Sequence, residues 1–214
     1  MRLLSCLALL PAALFAEGMQ GWYQANLWVR LDEKWSVGNF VDVRSDDGIG
    51  RLHAWMLSPR VRYDLNPNWQ LQANVSYFEG FNPDETSRPN WVRFEFEANP
   101  TYRLSESLVL SFRNRFEWRW RDEGADYNTR ARIRPQVDWT LRREGLFRGL
   151  YANNETMYEF TADRITENRL IPLGLVLRPS EHLDLRLYYL WRSARGAREW
   201  QNFHALGVLA SLNY

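Results

Sequence analysis

The residues best suited to chemistry in this 214-residue chain are arginines spaced by two. Arg113, Arg115, Arg119 and Arg121 share one parity with Glu117. Arg130, Arg132 and Arg134 share one with Asp138. Arg93, Glu95 and Glu97 repeat the spacing upstream, Arg60 and Arg62 repeat it earlier still, and Glu155 stands in a later segment. A spacing of two puts side chains on one face of a β-strand. A guanidinium keeps its charge under all ordinary conditions and offers a planar fork that grips carboxylates and other oxyanions in pairs of hydrogen bonds. Arginines interleaved with acids on one face can therefore satisfy each other as a network, or leave a surplus of positive charge for an anion.

Other chemistries find less support. The three histidines, His53, His182 and His204, group with no serine and carboxylate as a hydrolytic triad would require. Glu95 and Glu97 are better placed as ion-pair partners than as a glycosidase pair. No His/Cys spacing suits a metal and no glycine-rich loop suits a phosphate, so no cofactor is expected and enzymatic activity is not favoured. Lys and Arg number 27 against 26 Asp and Glu, a balance that argues against nucleic acid as a partner. The acids of the longer connections, Asp46, Asp47, Asp84, Glu85, Asp122 and Glu123, could hold divalent or lipopolysaccharide-bridging cations, although solvated loop acids have this composition too.

The elements that must position the charges alternate cleanly. Trp69, Leu71, Ala73, Val75 and Tyr77 share one face, with Gln70, Gln72, Asn74 and Ser76 on the other. Leu108, Leu110, Phe112, Phe116, Trp118 and Trp120 lie opposite the first arginine set, interrupted by Asn114, and Ala131, Ile133, Pro135, Val137 and Trp139 lie opposite the second. A soluble sandwich also alternates, but here the polar faces are crowded with charge and the apolar faces carry aromatics at their ends. That favours apolar out and polar in. Eleven such segments can be traced, with short connections alternating with longer ones. Single-chain bacterial barrels normally have an even count, so ten or twelve spanning strands are expected, with residues 22–31 surplus or one strand missed. In residues 168–178 the natural outer face is Ile171, Leu173, Leu175 and Leu177. That phase turns Arg169 outward, so a bulge near Pro172 is expected. Turn lengths set registers in which Glu95 faces Glu117, Glu97 faces Arg115, Arg60 faces Asn74 and Arg132 faces Glu155, with Arg115 and Arg119 relieving the Glu95–Glu117 clash diagonally.

Residues 1–16 read as a secretory signal peptide, with Arg2 as its basic start and a short apolar run ending at Ala16. Residues 17–214 form one domain. Cys6, the only cysteine, lies within the signal, so the mature chain has no disulfide and no thiol chemistry. Trp22, Trp35, Trp69, Trp91, Trp120, Trp139, Trp191 and Trp200 sit at segment ends, as in interfacial aromatic belts. In the final segment Leu206, Val208, Ala210, Leu212 and Tyr214 alternate with Gly207, Leu209, Ser211 and Asn213. A strand of that form ending on an aromatic resembles the closing strand of an outer-membrane barrel.

The ordered motifs are residues 63–69, 113–119 and 130–134, Asn154-Glu155 and Glu167-Asn168-Arg169, after a Trp-rich N-terminal hairpin. Together they resemble the bacterial family filed as domain of unknown function 2490, over most of the mature chain. Asn39, on the lipid face of the second strand, departs from the barrel pattern. The resemblance implies an outer-membrane β-barrel of Gram-negative bacteria and supplies no catalytic residues. The expectation is thus an all-β, up-and-down antiparallel transmembrane barrel of 10 to 12 strands, with short periplasmic turns and modest external loops. Its interior would be a narrow channel for anions or acidic small solutes. A closed structural or adhesin-like barrel is the alternative, and an outer-membrane lipid- or sugar-modifying enzyme comes third. Expected partners are outer-membrane lipid, lipopolysaccharide and the barrel-assembly machinery, in a monomer or small homo-oligomer.

Overall fold

A computed structural model describes residues 19–46, 50–81, 89–121, 127–196 and 199–214. The expected signal peptide, Cys6, Asp47, Asp84, Glu85, Asp122 and Glu123 lie outside the described residues.

The alternating segments form β1 (Met19–Arg30), β2 (Trp35–Asp46), β3 (Arg51–Asn66), β4 (Trp69–Gly80), β5 (Asn90–Arg103), β6 (Leu108–Arg121), β7 (Tyr127–Thr140), β8 (Phe147–Glu159), β9 (Arg164–Ser180), β10 (Leu183–Arg195) and β11 (Trp200–Asn213). Each is antiparallel to the next, and β1 closes on β11 to complete a barrel. The strand count among the described residues is therefore eleven, between the ten and twelve expected from even-numbered barrels. The segment thought surplus is a full member. With an odd count the first and last strands point the same way, so the β1–β11 seam is parallel, running from Met19 beside His204 to Trp28 beside Asn213. Parallel pairing is slightly weaker per residue. At one end the seam is extended by main-chain bonds from the Arg30 amide to the Tyr214 carbonyl (2.7 Å) and from the Tyr214 amide to the Trp28 carbonyl (3.0 Å). Inside, the Tyr188 hydroxyl crosses from β10 to donate to Gln24 on β1 (2.9 Å).

The two ends of the barrel differ. One carries compact turns. In the β1–β2 turn the Asp32 carboxylate accepts both the Lys34 and Trp35 amides (2.7 Å each), and these bonds hold its carboxyl below the ordinary carboxylate range. At the other end the connections run four to nine residues, β4–β5 being the longest.

The large hydrophobic side chains that remain exposed come from almost every strand, among them Val75, Phe94, Ile133 and Leu173. The fully buried side chains include Glu97 and Glu117. This inverts a water-soluble core, in which apolar residues go inside and charge stays out. Asn114 interrupts the apolar exterior, and its amide is satisfied by the Ala98 carbonyl of the adjacent strand (3.0 Å). Asn39 keeps a shielded Oδ1 without a partner.

Two expectations about faces are corrected. Trp22 and Trp91 do not join an outer belt. Trp22 is 3% exposed and belongs to the interior cluster with Tyr151, Tyr188 and Leu190, and Trp91 lines the interior cavity. Position at a strand end does not choose the face; parity does, and both residues share parity with inward polar neighbours. Trp35, Trp69, Trp120, Trp139, Trp191 and Trp200 are exposed. In β9 the pairing with both neighbours slips between Leu170 and Gly174, which is the bulge expected near Pro172. Ile171 therefore turns inward rather than outward. Arg169 is inward too, and Gly174 re-enters on the inner face against the Tyr151 ring.

The seam depends on small inward residues. A Cβ on Gly207 would run into the Tyr188 ring that braces β1. We expect Gly207→Val to destabilise the barrel by about 1–3 kcal/mol, as overpacking does. Thermal unfolding of the folded barrel checks this, and Gly207→Val combined with Tyr188→Leu should recover part of the loss.

Candidate lumen site

Because β5 to β8 are long and regular, their inward parity stacks charge over charge. Glu95 faces Glu117 and Glu97 faces Arg115 across β5 and β6, and Arg60 faces Asn74 across β3 and β4. Arg132, however, faces Met157 rather than Glu155. The β7–β8 turn closes with the Leu141 and Arg142 amides on the Arg148 carbonyl, two residues beyond the partner that a tighter turn would select. Arg132 reaches Glu155 diagonally instead.

The facing glutamates are reconciled by arginines placed between them. Arg115 lies 2.9 Å from Glu95 and 3.6 Å from Glu117, and it engages Glu97 through both Nε and Nη2, the Nε bond being 2.7 Å. Glu117, with no solvent exposure, also takes Arg130 Nη2 and Arg132 Nη1 at 2.7 Å each. Arg132 passes its other Nη to Glu155 (2.7 Å), which Arg113 also holds. Arg119, expected to relieve the Glu95–Glu117 clash, turns instead to Glu159 (2.7 Å) and Asn128 (2.6 Å). Asn74 donates to Glu95 (3.0 Å) and Glu97 (3.3 Å), and Asn99 donates to Glu97 (3.0 Å). Glu97, Glu117 and Glu155 thus each meet several donors, as a charge cut off from water requires, whereas Glu95 keeps a buried Oε1 without a hydrogen-bond partner.

Arg60, Arg62, Arg93 and Arg134 also face the lumen. Asp138 lies deeper towards the short-turn end and pairs with Arg186 (3.0 Å). Sequence reasoning named Glu167-Asn168-Arg169 only as a motif and did not bring the far wall into the site. There Arg44 pairs with Asp42 (2.6 Å), and Glu167 takes Arg169 and Arg192 at 2.7 Å each. Glu167 and Arg169 do carry the spacing of two, but the β9 bulge hides their phase. Inward aromatics also support the positive charge, both paired and unpaired. Trp22 carries Arg44 at 4.0 Å and Arg169 at 4.9 Å, Trp28 carries Arg62 at 4.4 Å, Phe40 carries Arg60 at 4.6 Å, and Phe78 carries Arg93 at 4.6 Å. Cation–π contacts of this kind are worth more where water is excluded.

Within these walls lies a cavity of about 600 Å³ lined by thirteen arginines and only four carboxylates. Glu95 and Glu117 are withdrawn behind their partners and do not line it. A second cavity of about 680 Å³ opens at the short-turn end around Lys34, Pro67 and Trp69. Gln70, Asn99 and Thr101 line both, so the two cavities abut across neutral polar side chains. No cluster of His, Cys, Asp or Glu with metal-binding geometry occurs among the described residues.

A closed barrel with an apolar exterior and a charged lumen is the architecture of a porin-like β-barrel, and a crystal structure of the NanC porin in a rhombohedral crystal form is similar to it. The match has a TM-score of 0.52 at 12% identity and covers 88% of this chain and 96% of that one, a likeness of fold. The chain belongs to the family described as "Protein of unknown function (DUF2490)", whose profile matches residues 19–203. No functionally curated protein matches it.

Arg115 is the only arginine within ion-pair distance of Glu95 and Glu97 among the described residues. We expect Arg115→Met to destabilise the folded barrel by about 3–5 kcal/mol, the range for a buried charge that loses its partner. Adding Glu95→Gln and Glu97→Gln should recover much of it. Urea unfolding of the barrel folded in lipid vesicles checks both.

Proposed function

We propose that this chain is a Gram-negative outer-membrane β-barrel whose lumen is a narrow conduit for anions and small acidic solutes. The observation that carries the reading is the cavity wall, with its large excess of arginine over carboxylate; a second cavity at the short-turn mouth shares Gln70, Asn99 and Thr101 with it. A wall of fixed positive charge lowers the energy of an anion inside it and raises that of a cation. The porin likeness supports the fold on which the reading depends, and the apolar exterior with its exposed tryptophans supports contact with lipid and lipopolysaccharide. On this reading residues 1–16 are removed on export. The barrel-assembly machinery inserts the chain, the short turns face the periplasm, and the longer connections face outward.

A closed barrel is the second reading. It is favoured by the complete burial of Glu117 between guanidiniums from two strands, a brace that could fill the lumen.

The test is a planar bilayer containing the refolded mature chain under a potassium chloride gradient. The conduit reading expects steady conductance with a reversal potential on the chloride side. It also expects Arg60→Glu, which leaves every buried carboxylate with its arginine, to move that potential towards potassium. A folded but silent barrel would favour the closed reading instead.

A further inference from the structure

Arg134 differs from the other arginines of the lumen. Among the described residues it is the one cavity-lining guanidinium with no carboxylate partner, no hydrogen bond and no aromatic ring beneath it. Its Nε is shielded from solvent and unpartnered. The nearest candidate acid cannot serve it. Glu155 gives Oε2 to Arg132 (2.7 Å) and shares Oε1 between Arg113 and the Arg132 Nε (3.2 Å), so both oxygens are engaged.

The neighbours add positive charge. Arg113 is the direct cross-strand partner of Arg134, and its own Nε also lacks an acceptor. From β10, Arg186 lies within electrostatic reach of Arg134. From β3, Arg60 lies within reach of Arg113, and its Nη1 donates only to the neutral Asn26 Oδ1 (3.1 Å). A guanidinium does not shed its proton in a protein; Glu155 and Glu97 lie within electrostatic reach of Arg134 but neither pairs with it, so a counter-charge entering the cavity would stabilise it further.

We propose that Arg134 and Arg113, faced by Arg60, form an oxyanion-binding station that takes the carboxylate or phosphate group of a small solute. The planar fork discriminates by geometry. An oxyanion can accept two parallel N–H bonds, whereas a halide is a single point of charge. The station rests on the conduit reading for the route by which the solute arrives.

Arg134→Gln strands no carboxylate, so the variant is expected to fold where Arg115→Met suffers. The experiment titrates the detergent-folded mature barrel with sodium acetate, sodium phosphate and sodium chloride at matched ionic strength, by calorimetry and by thermal unfolding. The expected result is that acetate or phosphate binds at least about tenfold more tightly than chloride, a difference of roughly 1.4 kcal/mol. Arg134→Gln should abolish that preference. Arg134→Lys should keep the affinity for chloride and lose the preference, because the charge survives and the fork does not. Acetate ahead of phosphate identifies a carboxylate-bearing solute, and the reverse order a phosphate-bearing one. Equal affinity for all three salts, or a preference that survives Arg134→Gln, overturns the station. Conductance separates the two proposals. A conducting barrel without oxyanion preference removes the station alone. A silent barrel with an Arg134-dependent preference removes the conduit alone.

Discussion

A carboxylate inside a closed sheet has little water to solvate it, and its remaining recourse is a cation held at hydrogen-bonding distance. Glu117 is the centre from which the interior can be read. It has no exposure, stands opposite Glu95, and meets three guanidiniums drawn from β6 and β7. Placing two acids face to face would be repulsive in isolation. Here the clash anchors a lattice, because Arg115 reaches Glu95, Glu97 and Glu117 at once. Such a lattice adds little net stability over a well-packed apolar core. Its consequence is specificity, since a register slip on β6 would turn every charge towards the apolar side.

Sharing carboxylates among arginines creates the polarity of the lumen. When Glu117 and Glu155 each hold several arginines, the acids withdraw and the guanidiniums form the surface that a solute would meet. Aromatic rings hold further arginines without neutralising them, as Phe78 does for Arg93 and Phe40 for Arg60. A chain with nearly balanced charge overall therefore encloses a strongly positive cavity. Composition alone would not have suggested this, because the compensating acids either sit behind arginines or lie elsewhere on the barrel.

The odd strand count has a cost and a local remedy. Ten antiparallel hairpin steps leave β1 and β11 parallel, and the seam between them is held by main-chain bonds around Tyr214 and by the Tyr188–Gln24 hydrogen bond. Gly207 exists on the inner face to let that tyrosine pass. The same interior surface carries Leu190, Ala205 and Leu209, so the seam side of the lumen is less charged than the β5–β8 side. The barrel thus has an ion-pair wall and an aromatic wall, and the cavity lies between them.

The sequence by itself determined what depends on period and parity. Alternation at a spacing of two specified strands, separated an apolar face from a charged one, and brought Arg115 opposite Glu97 once the short β5–β6 turn was counted, because side-chain direction in a strand is a local property. The family resemblance was legible for the same reason, in the order of those alternating motifs. What parity could not reach was decided by tertiary structure. The β9 bulge reversed Ile171, the longer β7–β8 turn moved Arg132 from Glu155 to Met157, and closure admitted β1 as an eleventh strand. Each depends on hydrogen bonding between elements, which no single segment encodes. The isolation of Arg134 is the clearest case. Its sequence context matches that of Arg132, two residues away, and only the competition of several strands for the two oxygens of Glu155 leaves one guanidinium paired and the other free to meet a solute.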